Sequence, residues 1–558
     1  MKKTKIMAVF MAACMAVTAL GGCSGQSGTD STTGSETQAA GNAGGESAQT
    51  QPVLGGTEDS DLEAQPGGTL TIAIPNYTPL LDPKDYTQAY EASIIAQVAE
   101  PLLTYNAEYT DLIPVLATDW SVSDDGLVYH FVLRDDVYFQ KGQFQDGRKL
   151  VADDVKFSLE RIAAECSTDR ICREFFDHVE VQSDTEFDIV LKESCGPFLE
   201  QLADVGNVII PREEVEGWGE NFADHLIGSG PFTLESMTLD ESVIIKRNEN
   251  YWGEKANLDE VVFRVVTDGN QAVNALITGE VQIAEYLQAE AIQQAKDAGM
   301  LVQRPTTGTS FARFNMQTGP TADPRVREAI IKAVDIDAVI ANVYQYGEAV
   351  RAYQPLTDLS WGYNESFNDL VPAYDPEGAK ALLKEAGYEN GMTLNIYIPN
   401  TSTRERIAQL IQYYLGEVGI TLNIKSGAFA EILATVTEGY KNENISMYAF
   451  SWSGTLDPYS YLEKLFSRKT LSATSNAGGY DNEEVDKYLY DAFKETDREK
   501  RIELYDKAME IIMKDYTGIY LAYEARNWGV SPKVHDTVQR ADGRILLCTP
   551  FNNVWIEH

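Results

Sequence analysis

Histidine is scarce in this chain, with five in 558 residues (His130, His178, His225, His535 and His558) and none near enough to another to share a metal ion. The chain has no His-Glu-x-x-His helix, no Gly-x-Ser-x-Gly turn and no glycine-rich loop closing on Lys-Ser/Thr. Those are the spacings by which zinc proteases, hydrolases and phosphate-loop enzymes assemble their chemistry. No enzyme, cofactor or metal site is therefore expected. Basic residues are also few: 45 Lys and Arg stand against 85 Asp and Glu, for a formal charge of −40, and a surface this acidic repels nucleic acid. Long hydrophobic runs are missing as well. The apolar stretch from Ile6 to Leu20 falls short of the roughly 20 residues a spanning helix needs. Cysteine is limited to six, with no Cys-x-x-Cys pair, which excludes a zinc ribbon. Cys166, Cys172 and Cys195 lie close together in sequence, and Cys548 lies far away. An extracellular disulfide and free buried thiols are both open.

The first 23 residues combine a basic start (Lys2, Lys3, Lys5), the apolar Ile6–Leu20 and small residues before Cys23. That is the layout of an export signal. Leu20-Gly21-Gly22-Cys23 resembles the lipobox of bacterial lipoproteins, which implies cleavage before Cys23 and acylation of its thiol. Loss of residues 1–22 removes three lysines and no acid, taking the charge from −40 to −43. Residues 24–66 are dominated by Ser, Thr, Gly, Gln and Ala. They offer too little apolar surface to offset chain entropy and read as a disordered tether, with a reach of roughly 35 Å from a membrane.

What remains is too long for one core and predicts two or three domains. Strands and helices alternate along it. Thr69–Ile74 reads as a strand stopped by Pro75, and Tyr90–Val98 as a helix. Asp125-Gly126 marks a hairpin turn, followed by period-two alternation over 131–139. A helix is predicted from Asp153 as N-cap, then a second hairpin around Ser183-Asp184-Thr185, a strand over 258–267 and a helix over 271–279. Further on, Pro324–Asp337 reads as one helix. Asp375, Pro376 and Gly387 are the cap, first turn and stop of another. Leu394–Ile398, Arg404–Val418 and Ile420–Ile424 continue as strand, helix and strand. The alternation predicts α/β lobes with mixed sheets.

Several of these segments, in this order, resemble family 5 of the bacterial extracellular solute-binding proteins, the peptide and nickel class that serves ABC importers. They are Trp120–Leu127 through Phe157–Arg161, Gly228–Phe232 through Asn250–Gly253, Arg325–Ala329 and Asp375–Tyr388. The resemblance runs from about Gly68 to the C-terminus. It implies an α/β, periplasmic-binding-protein-like type II fold: two lobes in three domains, hinged about a cleft. Domain I would comprise 67–102, 229–312 and 526–558, domain II 103–228 and domain III 313–525. The implied protein is a monomeric, lipid-anchored, extracytoplasmic receptor. It would close on a solute and hand it to an ABC permease and ATPase complex, making and breaking no bond.

The implied ligand set is incomplete. Peptide-binding members carry an Asp three residues after a cleft Trp, to pair with the peptide ammonium. Here Trp452 is followed at that place by Thr455, and Asp457 before Pro458 reads as a helix cap. Nickel-type members place an Arg beyond a Pro-Phe-Leu segment and a His downstream of the Trp. Those places fall at Gly206 and near Thr470. The expected ligand contacts are Trp452, Thr455, Tyr86, Arg170, Phe311 and Arg313. Peptide is the expected solute, with an oligosaccharide or another small solute, or a sensory role without transport, as alternatives.

Overall fold

Two long strands, Leu301–Phe314 and Gly518–Val530, cross the molecule side by side. The computed structural model describes residues 62–76, 81–167, 170–288, 290–471 and 474–558, so the expected signal, Cys23 and the tether up to residue 61 lie outside the described residues. Around the two crossing strands runs an eleven-stranded mixed sheet. On one side of them lie Met447–Ser453, Met392–Pro399 and Ile420–Gly427. On the other lie Ile283–Ala284, Thr69–Ile74, Glu260–Val265, Ser242–Arg247 and Phe232–Thr238, and the short Ala349–Arg351 pairs with Gly518–Val530 off this path.

The pairing of the crossing strands is broken near the middle, and a second, smaller register shift follows between Ser310 and Phe311. Leu301–Pro305 pair with Gly529–Ala525, the register shifts, and Thr309–Arg313 resume against Tyr523–Gly518. Four steps on one strand therefore face two on the other, a bulge that bends and twists the pair. Proline has no N–H for the ladder, and Pro305 stands at the edge of the break. Side chains close the gap instead. Thr306 Oγ1 donates to Glu524 O at 2.8 Å, and Gly308 N–H donates to Thr306 Oγ1 at 3.1 Å.

Separate apolar cores form on either side of this break. One packs Leu70, Ile72, Ile95, Phe232, Val261 and Trp528. Two others, around Ile396, Ile411 and Leu521 and around Phe450, Leu462 and Met509, lie beyond the bulge. A further core belongs to a four-stranded antiparallel sheet, ordered Ala117–Val122, Val128–Leu133, Glu186–Leu191, Phe176–Val181. In Val128–Leu133 the alternation buries Tyr129, Phe131 and Leu133, and the rings of Phe131 and Phe187 stack across the ladder at 5.5 Å. Helix Ala152–Glu165 covers this sheet with Leu159 and Ile162.

The motifs that carried the family resemblance converge on one buried carboxyl. Glu100 accepts from Ser229 Oγ at 2.7 Å, Tyr251 OH at 2.7 Å and Trp252 Nε1 at 2.8 Å. Burial pushes its pKa up to about 7, against the pull of these donors. At Gly230 an added Cβ would stand 2.5 Å from the Gln97 carbonyl oxygen. These residues therefore join the four-stranded sheet to the larger one.

Several local expectations change in three dimensions. The first covering helix starts at Ala152 with Val151 as cap, because the Asp154 carboxylate reaches back to Val151 N–H at 3.0 Å while held by Arg148 at 2.6 Å; Asp153 lies inside the first turn. The strand expected over 131–139 ends at Leu133. The single helix expected over 324–337 is two, Pro324–Ala333 and Ile336–Val343, since Asp335 caps the second through Ala338 N–H at 3.0 Å. All four cysteines of the body are free and buried. Among the described residues no helix is long and apolar enough to cross a membrane, and no His, Cys, Asp and Glu cluster could hold a metal.

Candidate functional site

The bulge in the crossing strands opens onto a cavity of about 1090 Å³. One wall comes from Tyr86–Ala89, Tyr105, Tyr109, Glu200, Asp204, Tyr286–Gln288 and Ala541-Asp542. The facing wall comes from Asn342–Tyr346, Glu348, Thr401–Arg404, Arg406, Ser453–Thr455 and Glu524–Asn527, with Thr306–Gly308 between them. Six tyrosines, six carboxylates and four arginines line it, with no Trp, Lys or His among the described residues. The volume is just above the range of roughly 300–1,000 Å³ usual for small-molecule sites.

The first wall is locked by internal ion pairs. Asp204 accepts from Tyr86 OH at 2.9 Å and Gly206 N–H at 2.7 Å, with Arg170 Nη1 at 3.4 Å. Asp542 lies 2.6 Å from both Arg540 Nη2 and Arg544 Nη2. Burial raises the Asp542 carboxyl, and the Arg540 charge pulls it back down. Glu200 lies 3.3 Å from Arg501, which also meets Asp457 at 2.7 Å. Burial raises Glu200, with Arg501 opposing. This last network joins the lobes, because Glu200 packs beside the four-stranded sheet while Asp457 and Arg501 belong to the segment beyond the bulge. Two further bonds join the same surfaces: Gly196 N–H to Phe493 O at 2.7 Å and Ser194 Oγ to Lys494 O at 2.8 Å.

The second wall holds its charges more loosely. Glu524 Oε1 accepts from Ser451 Oγ at 3.1 Å and Tyr344 OH at 3.4 Å, with Arg404 at 4.0 Å. Arg404 is committed to Ser310 Oγ at 2.8 Å, Phe450 O at 3.0 Å and Ser451 Oγ. Arg526 lies over the Tyr286 ring at 4.4 Å.

The six residues expected to meet ligand divide. Tyr86 and Thr455 line the cavity. The Tyr86 ring already carries the Arg170 guanidinium at 3.6 Å, and its hydroxyl is engaged by Asp204. Thr455 Oγ1 turns into its own loop, toward Ser460 Oγ at 3.0 Å and Asp457 O at 3.3 Å. The other four are off the wall. Arg170 is buried, donating to Tyr86 O, and acts on the site through Tyr86 and Asp204. Trp452 pairs with Thr309 across the sheet and packs on the apolar core of Phe450 and Leu462. Phe311 and Arg313 lie on the far side of the bulge with 1% and 0% exposure. Arg313 donates to Leu465 O at 2.8 Å and stacks on Phe466. The N-cap of the helix Tyr459–Phe466 is Pro458 rather than the expected Asp457, which stands one residue earlier and accepts from Tyr459 N–H at 2.8 Å and Tyr505 OH at 2.7 Å. Gly206, at the place of the nickel-type Arg, has no room for a side chain, because an added Cβ would stand 2.4 Å from Arg170 Cδ.

Sequence reasoning missed Glu524, Arg526, Asp542 and Arg404. The only signal available was their position in or beside strands and a helix start, where charged residues ordinarily form a solvated face.

Comparison with known proteins places the chain among relatives of the same architecture. It is 30% identical over 453 residues to the dipeptide-binding protein of Escherichia coli K12, covering 76% of this chain and 83% of that one. It is 29% identical over 482 residues to heme-binding protein A of Haemophilus influenzae, covering 82% and 86%. The structure of the periplasmic binding protein DppA from Helicobacter pylori, in complex with the peptide STSA, superposes with a TM-score of 0.72 at 28% identity, over 88% of this chain and 99% of that one. The profile of the bacterial extracellular solute-binding proteins, family 5, matches residues 111–472, and with that coverage the chain belongs to this family.

Proposed function

We propose that this protein is the ligand-capturing lipoprotein of an ABC importer and that its solute is a peptide. The observation that carries the reading is the 1090 Å³ cavity at the break in the crossing strands, lined by carboxylates, arginines and tyrosines. Such a lining suits a charged, amide-rich ligand, in which each buried charge needs a partner. The dipeptide-binding and peptide-bound relatives support the same class. An oligosaccharide is less suited, since Trp452, expected as its stacking wall, packs against the core of Phe450 and Leu462 and does not line the cavity.

Ligand contacts to both lobes stabilise the closed state, and a permease reads that state. The division into domain I (67–102, 229–312, 526–558), domain II (103–228) and domain III (313–525) belongs to this proposal. It is supported by the separate cores on either side of the bulge. Anchoring through Cys23 is supported by Leu20-Gly21-Gly22-Cys23. Cys23→Ala is expected to release the protein from membranes, read by fractionation.

Native mass spectrometry of the protein purified without denaturation tests the solute class. Bound masses spaced by amino-acid residues are expected. Hexose spacing, or failure to retain any of a set of defined peptides, would overturn the reading.

A further inference from the structure

A free peptide brings an ammonium and a carboxylate, and the loop after Trp452 offers Thr455 where an acid was expected. Three of the six cavity carboxylates are already neutralised: Glu200 by Arg501, Asp204 by Arg170, and Asp542 by Arg540 and Arg544. Glu348 folds back on Tyr346 N–H at 2.9 Å, and Glu290 is exposed at the start of its helix. Glu524 alone of the six is held by two side-chain hydroxyls with no arginine closer than 4.0 Å. Both hydroxyl bonds and the nearest Arg404 nitrogen fall on Oε1, and among the described residues Oε2 has no partner. The side chain is 38% exposed, so Oε2 is open to the cavity.

Two residues along the same strand stands Arg526. Among the described residues no carboxylate lies within ion-pairing distance of it. One face of its guanidinium is covered by Tyr286 at 4.4 Å. The Gly543 backbone presses against it: a Cβ on Gly543 would stand 3.1 Å from Arg526 Cζ, and the φ of +89° there suits glycine. The guanidinium is thus held in place by a ring and a backbone while keeping N–H donors for a ligand. Residues i and i+2 of a strand share a face, about 6.6 Å apart. Both side chains line the cavity, so an anion and a cation stand on one face for the two ends of a short zwitterion.

We propose that Glu524 and Arg526 form a zwitterion clamp, Glu524 Oε2 accepting from the ligand ammonium and Arg526 donating to its carboxylate. The ligand class is a short peptide with both termini free. The clamp rests on the peptide reading above and replaces the contact that Thr455 cannot make.

The test uses a defined mixture of dipeptides with free termini, the same mixture N-acetylated, and the same mixture amidated at the C-terminus. Each is titrated into the full chain, into Glu524→Gln and into Arg526→Gln, with retention read by native mass spectrometry and affinity by calorimetry. The free peptides are expected to bind wild type about 10- to 100-fold more tightly than either blocked set, the loss of one charge-assisted bond. Glu524→Gln is expected to erase the discrimination against acetylation only, and Arg526→Gln that against amidation only. Binding of blocked and free peptides with equal affinity would overturn the clamp and leave the peptide reading standing. Retention of none of the three mixtures would overturn the peptide reading itself. Glu348→Gln, on the same wall but folded onto its own loop, should change neither selectivity. If it matched Glu524→Gln, the effect would be one of general charge and the clamp would fall.

Discussion

The two walls of the cavity carry the same kinds of charge with different partners. On the wall of Glu200, Asp204 and Asp542, each carboxylate lies against at least one arginine, and two of the three are mostly buried. On the wall of Glu524 and Arg526, the carboxylate meets hydroxyls and the guanidinium meets a ring. A buried charge is tolerable only when paired, so charges in the first wall hold the lobes in register. A charge that keeps some water and one unpartnered atom can exchange that water for a ligand. Both walls would read as acidic and polar in sequence, and the distinction lies in what each side chain touches.

The largest way to break this contrast is on the first wall. Arg501→Met would leave Glu200 and Asp457, which are 9% and 1% exposed at their side chains, facing each other without a counter-charge. Removing one partner of a buried pair costs about 3–5 kcal/mol. Urea denaturation is expected to show a loss of that size; a change under about 1 kcal/mol would mean that the network does not join the lobes.

Next comes Glu285, adjacent to Tyr286 of the first wall. Both carboxyl oxygens are buried without partners, and burial pushes its pKa up to about 8, with Arg526 opposing. The folded form therefore holds a proton that the unfolded chain releases above its ordinary carboxylate pKa. Its stabilising contribution is complete below about pH 4.5 and is lost as pH rises through about 8. Glu285→Gln keeps the shape without the titration. It is expected to match wild type at pH 4.5 and to exceed it by about 3 kcal/mol at pH 7. Parallel stability curves for the two proteins between pH 4.5 and 8 would rule this out.

Smaller still, Glu524→Gln and Arg526→Gln should each change stability by only about 0.5 kcal/mol, although both are expected to weaken ligand. A loss comparable to that of Arg501→Met would erase the difference between the walls. The smallest effect concerns thiols. Cys166, Cys172, Cys195 and Cys548 are buried and unpaired, and burial pushes Cys548 up to about 12. A thiol reagent should therefore react slowly with the native body and find four groups after denaturation without reductant. Two groups would reveal a disulfide.

Much of the fold was legible because its signals are local. The strand Thr69–Ile74, the hairpin at Asp125-Gly126 and the helix Pro376–Glu385 with its Asp375 cap and left-handed Gly387 appear where turn and cap chemistry placed them. Asp335 ended one helix and began another, and Asp154 displaced Asp153 at a helix start, because each cap depends on which carboxylate a neighbour such as Arg148 holds. The site was less legible. Trp452 and Phe311 occupy family positions, yet the side-chain alternation of their strands turns them to packed neighbours. Glu524 and Arg526 carry no motif at all.

By itself the sequence determined the α/β alternation, the family and the absence of familiar catalytic spacings. All of these are written in neighbouring residues. Tertiary structure alone decided which charges are spent within the protein and which face the cavity. That depends on Leu301–Phe314 meeting Gly518–Val530, more than two hundred residues away, with a register shift at Pro305. A strand's side chains acquire inward and outward faces only when its register is set, and a carboxylate's environment exists only once its partners arrive.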